Sequence, residues 1–237
     1  MIKNIVHGNF AYSKKYNYAI MWNAKSGCSF FKHIFYLLHK GEVKKHHSHV
    51  RDLPLFSFSN ISCITNVRNP YTRTVSMFSN RYCGVENHLH KKFVELGVAP
   101  KKLSFRSFVK KLHLVKTRNQ IKTDSHMDSQ KSLSRDLKKF KEVHVARLEN
   151  FNEEIVECYS KINIELSQKA FEILKKTKPI NSTQRNNETL SVCDKEYSLK
   201  NTVFPHPKYF YDQELLEMVY DIYEDDFKQF GYEKYQL

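Results

Sequence analysis

Two short apolar runs, each cut off by a polar turn and followed by an amphipathic stretch, constrain the fold more than any other feature of the chain. Tyr18-Ala19-Ile20-Met21-Trp22 runs into Asn23-Ala24-Lys25-Ser26-Gly27-Cys28-Ser29, and Ile61-Ser62-Cys63-Ile64-Thr65-Asn66-Val67 runs into Arg68-Asn69-Pro70. Continuous apolar runs bounded by turn residues read as strands buried on both faces. After the first, apolar residues at 30, 31, 34, 35, 37 and 38 form a helical stripe, with Ser29 the expected N-cap. After the second, Pro70 suits the first turn of a helix over 71–82.

The same pattern continues downstream. An amphipathic helix is expected over 105–114, a strand over 142–148, a helix over 152–162, a polar loop over 181–191 and a long C-terminal helix over 212–230. Strands alternating with helices imply βαβ crossovers, hence an α/β protein with a central parallel β-sheet flanked by helices. Ligands of such sheets bind beyond the carboxyl ends of the strands, where both polar turns lie.

A length of 237 residues suits one domain spanning 1–237. A hydrophobic fraction of 41% supplies a core, and 6 glycines and 6 prolines are too few for collagen-like or linker-rich chains. The net charge of +14 points to anionic partners (nucleic acid, a nucleotide or an acidic polysaccharide) or to a lysine-rich solvated surface. Lys101-Lys102, Lys110-Lys111 and Lys138-Lys139 are scattered, which weighs against a nucleic-acid-binding arm. The five cysteines form no C-x-x-C pair, so a reduced, intracellular setting is expected. With no apolar signal region and no run near the ~20 apolar residues of a membrane span, the expectation is a soluble, cytoplasmic protein.

The first turn combines the groups an anion needs. A strand, then Lys25-Ser26-Gly27-Cys28-Ser29, then a helix offers backbone N–H groups at the positive end of a helix dipole. Gly27 permits close backbone approach, Ser26 and Ser29 bring hydroxyls, and Lys25 adds a point charge. An ordinary strand-to-helix turn with a surface lysine is the plainer alternative.

The second turn carries a resemblance. Val67-Arg68-Asn69-Pro70-Tyr71-Thr72-Arg73-Thr74-Val75-Ser76-Met77-Phe78 resembles the 3′-phosphate motif of sulfotransferases, V-R-(D/N)-P-(F/Y)-x-R-x-x-S-x-(F/Y). There the arginine and the serine bind the 3′-phosphate of 3′-phosphoadenosine 5′-phosphosulfate (PAPS), which implies those roles for Arg68 and Ser76. The turn at Lys25, Ser26, Gly27, Cys28 and Ser29 then resembles the family's 5′-phosphosulfate loop. Leu103-Ser104-Phe105-Arg106-Ser107-Phe108-Val109 is similar to a helix of the membrane-associated carbohydrate branch. Asp124-Ser125-His126-Met127-Asp128-Ser129-Gln130 is similar to that branch's D-x-H-(F/W)-x-P-Q segment, departing at Met127 and Ser129. Ala146-Arg147-Leu148-Glu149-Asn150-Phe151 resembles a strand-end element of the family, and the chain's last aromatic-rich turns resemble its usual ending. Asn181-Ser182-Thr183 resembles the polar loop that folds over the cofactor, which implies Ser182, Thr183 and Arg185 as further nucleotide contacts.

His46-His47-Ser48-His49-Val50 resembles the H-G-H-V segment of heparan sulfate 2-O-sulfotransferases, where the second histidine is the favoured base. The resemblance implies His49 as catalytic base, with His47 and His126 as second candidates. A neutral imidazole suits proton removal near pH 7. A solvated basic loop, or a metal site on alternate histidines, are the other readings of this stretch.

What the resemblance implies is a PAPS-dependent sulfotransferase with a P-loop-like three-layer fold, acting on a hydroxyl of a carbohydrate or related acceptor. No metal is implied, since a sulfuryl group carries less charge than a phosphoryl group. Two rivals remain open at this point. One is a P-loop nucleotide kinase or NTPase, although no acidic magnesium ligand follows Val67. The other is a non-catalytic basic module for polyanions, which explains the charge but not two ordered anion turns.

Overall fold

The computed structural model of the protein describes residues 9–40, 58–84, 87–95, 97, 103–117, 126–133, 136–176, 184–187 and 189–236. In chain order the elements are β1 (Asn9–Ser13), β2 (Tyr18–Trp22), α1 (Cys28–Lys40), β3 (Ser62–Val67), α2 (Pro70–Met77), α3 (His88–Glu95), α4 (Phe105–Thr117), α5 (Gln130–Leu133), β4 (Glu142–Arg147), α6 (Phe151–Lys161), α7 (Gln168–Lys176), β5 (Gln184–Arg185), β6 (Val203–Phe204) and α8 (Gln213–Phe230). They divide between two compact units, Met1–Arg68 with Gln130–Ile180, and Asn69–Ser129 with Asn181–Leu237.

The first unit holds a four-stranded sheet in the order β1-β2-β3-β4. β2 pairs with β3 in parallel and β3 with β4 in parallel, while β1 folds back antiparallel on β2. The sheet is therefore mostly parallel rather than wholly so. The antiparallel edge arises because β1 and β2 are joined by a tight turn, too short for a crossover. All five residues of β2 are buried, which is why Tyr18–Trp22 reads as an unbroken apolar run.

Alternation along the strands splits the core in two. Tyr18, Ile20, Trp22, Ile64 and Ala146 pack with Phe31, Ile34 and Phe35 of α1, Phe151, Ile155 and Tyr159 of α6, and Leu174 of α7. Ala19, Met21 and Cys63 face the other way, onto Phe58, Ile61, Leu137 and Phe140. Each large side chain so buried contributes on the order of 1.5–3 kcal/mol. α1 begins at Cys28, with Phe31 N–H donating to Gly27 O at 3.0 Å, so Ser29 lies inside the first turn and Gly27 takes the capping position expected of Ser29.

The second unit is built on α2, α3, α4 and α8 around an aromatic core. Pro70 opens α2, with Asn69 accepting from Tyr71 N–H at 2.9 Å as its N-cap. The helix expected over 71–82 is regular only to Met77; Phe78–Tyr82 widens into a π-turn that seats Phe78 against Phe105, Phe108 and Phe210. α8 starts at the cap Asp212 and stops at left-handed Gly231. Within the stretch expected to be a loop, Gln184–Arg185 pairs in parallel with Val203–Phe204, so Arg185 sits on a short strand.

Candidate active site

The parallel register fixes where the first unit's functional residues stand. Trp22 is level with Asn66, and Asn66 with Ala146, so β2, β3 and β4 end together and their following turns emerge side by side. The turn after β2 is Asn23–Ser26, with Ser26 N–H donating weakly to Asn23 O at 3.4 Å. Lys25 holds a left-handed conformation at φ 65° and Gly27 another at φ 78°. A lysine held there is disfavoured by roughly 1–2 kcal/mol. Such strain persists where the surroundings over-determine it.

Those surroundings are a set of hydrogen bonds between the first turn and the end of β3. Asn23 Nδ2 donates to Asn66 O at 3.0 Å, and Asn66 Nδ2 donates back to Ser26 O. Arg68 Nη1 donates to Lys25 O at 3.3 Å. Gln130, wholly buried at the start of α5, accepts on Oε1 from Ser26 Oγ at 2.6 Å and from Arg68 N–H at 2.8 Å, and donates from Nε2 to Arg68 O at 2.8 Å. The Ser26 hydroxyl proton is therefore directed at Gln130.

The start of α1 and the residues flanking it carry positive charge. α1 presents its N-terminal N–H groups, which have no intrahelical acceptors, and has no acidic residue in its first turn. Lys25 and Arg68 supply two cations, both partly exposed. Lys32, one turn into α1 after Cys28, is almost wholly buried with its ammonium 5.1 Å from the centre of the Trp22 ring. Burial pushes that ammonium below its ordinary range, opposed by the nearby Cys28 thiol. Donors and positive charge, with no acid in the first turn of α1, suit an anion.

The structure thus brings together Lys25, Ser26, Gly27, Cys28, Ser29 and Arg68 in the first unit. Ser76 lies half-buried on α2, and His126 and Arg185 also belong to the second unit. There His126 O accepts from Nη2 of the buried Arg73 at 3.2 Å. His47, His49, Ser182 and Thr183 lie outside the described residues. Among the described residues no group of His, Cys, Asp and Glu could hold a metal ion, and no described helix is long and apolar enough to cross a membrane.

The site residues that sequence reasoning passed over are Asn23, Asn66 and Gln130. The asparagines had a signal, a polar amide at the end of each of two buried runs. Gln130 ends the Asp124–Gln130 segment, whose residue pattern gives it no role of its own.

No curated protein and no solved structure matches the chain. A model described as the sulfotransferase family matches residues 9–233, both polar turns and all three parallel strands included. The chain belongs to the sulfotransferase family, and is by that membership a transferase that moves sulfuryl groups.

Proposed function

We propose that the protein transfers the sulfuryl group of PAPS to a hydroxyl of a carbohydrate or related glycoside. The observation that carries this reading is the lacing of the Lys25–Ser29 turn to Arg68 at adjoining strand ends. It sets a helix N-terminus, an ammonium and a guanidinium on one corner of the sheet. That donor set fits a phosphosulfate, which accepts hydrogen bonds and carries negative charge.

In this reading the backbone N–H groups of Gly27, Cys28 and Ser29 hold the 5′-phosphosulfate, and Ser26 shapes the turn through its bonds to Asn23, Asn66 and Gln130. Arg68 holds the 3′-phosphate through its planar fork. Ser76, Ser182, Thr183 and Arg185 join the nucleotide contacts on the strength of the sequence motifs. PAPS supplies the sulfuryl group and an oxygen leaving group. Lys25 stabilises the negative charge that gathers on that leaving oxygen as the bond to sulfur breaks. His49 takes the proton of the acceptor hydroxyl as its oxygen bonds to sulfur, with His47 or His126 as the alternative bases.

The family membership sets aside the kinase and polyanion-module rivals as the protein's class. The acceptor class rests on the histidine segment and on the stretches at Leu103–Val109 and Asp124–Gln130, which resemble the carbohydrate branch. The test is transfer of labelled sulfate from PAPS to panels of glycans, glycosides and small phenols. Labelling of glycans or glycosides is expected. Labelling of phenols alone would overturn the acceptor, and no PAPS-dependent labelling of any hydroxyl compound, with no binding of the desulfated product PAP, would overturn the donor.

A further inference from the structure

We propose that Gln130 is a positioning residue that fixes Arg68 against the Lys25–Ser29 turn, and so sets how much the 3′-phosphate adds to nucleotide affinity. The inference rests on the PAPS reading above.

β3 pairs with β4 as far as Val67, and the ladder ends there. The next residue, Arg68, leaves the sheet with a main-chain N–H and C=O that have lost their neighbouring strand. Both are taken up by one side chain: Gln130 Oε1 accepts the N–H at 2.8 Å and Nε2 donates to the C=O at 2.8 Å. A primary carboxamide can do this because its oxygen and its syn N–H lie on one edge, so it takes up both groups where the ladder stops. A main chain bound at both polar groups has little freedom in φ and ψ, so the direction in which the Arg68 side chain departs is fixed before any ligand arrives.

The same Oε1 also accepts from Ser26 Oγ at 2.6 Å. One oxygen therefore refers the arginine to the phosphosulfate turn. Gln130 is 0% exposed, so none of these bonds competes with water in the folded protein. An amide is the side chain that meets all three demands. A glutamate of the same length offers the acceptor but cannot donate to Arg68 O, and places a negative charge beside an anion site.

The mere filling of a buried space would give a different result, because it has no reason to favour one phosphate over another. The experiment measures dissociation constants for PAP and for adenosine 5′-phosphate, which lacks the 3′-phosphate, by calorimetry at fixed salt. Wild type, Gln130→Met, Gln130→Glu and Ser26→Ala are compared, each first shown to be folded by its melting curve. Wild type should prefer PAP. Gln130→Met, which keeps the volume, should reduce that preference by about tenfold, the worth of a hydrogen bond or so at Arg68. Gln130→Glu should reduce it too, and serves alone if the methionine variant does not fold. Ser26→Ala, which leaves both Arg68 bonds in place and removes only the link to the turn, should reduce the preference less than Gln130→Met does. A preference unchanged in Gln130→Met, or in Gln130→Glu, overturns the role of Gln130 while leaving the PAPS reading standing. A wild-type protein that does not distinguish the two nucleotides overturns the PAPS reading, and this inference with it.

Discussion

A Cβ atom placed on Gly27 would meet Leu148 Cδ1 at 2.5 Å, closer than two carbons can stand. The turn before α1 is thus packed directly onto the residue that follows β4, and residue 27 is held at φ 78° as well. The left-handed backbone is the constraint that favours glycine here, since Leu148 Cδ1 is the far end of a flexible side chain and can turn aside.

Gly27→Ala is expected to destabilise the protein by roughly 1–2 kcal/mol from the left-handed conformation, with the Leu148 contact adding little because its Cδ1 can move away. Gly27→Ala should also weaken PAP binding, and adding Leu148→Ala, which removes the contact but not the dihedral cost, should restore little of either loss. Urea unfolding and PAP titration of the two variants beside Leu148→Ala check this. Stability of Gly27→Ala equal to wild type would mean that the turn reshapes freely.

A second expectation concerns the second unit. Arg73 is 0% exposed, its guanidinium carbon is 5.6 Å from the centre of the Tyr223 ring, and its Nη2 holds His126 O. The Tyr223 hydroxyl donates to Met127 O at 3.0 Å, so arginine and tyrosine fasten consecutive carbonyls of one turn. Arg73→Met should cost roughly 2–4 kcal/mol, since buried carbonyl and ring lose a charged partner together. Arg73→Lys should recover little, because an ammonium lacks the planar fork. Denaturant melts decide; a loss below about 0.5 kcal/mol would mean that desolvating the guanidinium cancels what its contacts return.

What could be read from the sequence follows from the range of the interactions involved. Tyr18–Trp22 and Ser62–Val67 were legible because a strand buried on both faces has to be apolar throughout. α2 was legible from Pro70 and α8 from its apolar periodicity, both local signals, although Asp212 proves to be the cap of α8 rather than its first residue. β1 was not, since Asn9–Ser13 is short and takes its direction from pairing with β2. The π-turn at Phe78–Tyr82 obeys the seating of Phe78 among distant aromatic rings, which helical periodicity does not encode. Within the candidate site, the polar turns showed in their residue types, whereas Gln130 meets Ser26 and Arg68 across 104 and 62 residues of chain. No local pattern announces such a contact.

Acid should weaken one lock in the second unit in a defined window. Arg106 donates from Nε to Asp194 Oδ1 at 2.7 Å, from Nη1 to Glu214 Oε2 at 2.5 Å and from Nη2 to Asp212. The bond from Arg106 holds the Asp194 carboxyl below its ordinary range. For Asp212 burial pushes upward, but the Leu215 N–H and Arg106 outweigh it and the net shift is also down. Carboxyls depressed in the folded state stabilise it fully above their unfolded value, about 3.9, and that contribution fades as pH falls through the folded values. Wild type should therefore exceed Arg106→Leu in stability at pH 6, with the gap closing below about pH 4. A gap that stays constant down to pH 2 would assign the effect of Arg106 to packing alone.

The last prediction separates strain from chemistry at Lys25. Its φ of 65° makes it a residue that the backbone would rather have as glycine. If the lysine is kept for its ammonium, Lys25→Gly should relieve the conformation, holding or raising the melting temperature of the ligand-free protein, while cutting turnover at saturating PAPS by roughly 10² or more. Lys25→Ala should lose turnover equally without the gain in stability, since alanine keeps the left-handed cost. Lys25→Arg should restore charge but not full rate, because a broad fork cannot focus on one leaving oxygen as a compact ammonium does. Single-turnover rates set beside melting curves for the three variants make the test. A Lys25→Gly protein that is both more stable and as fast as wild type would leave the strain without a catalytic reason, and reduce the turn to a cradle for the nucleotide.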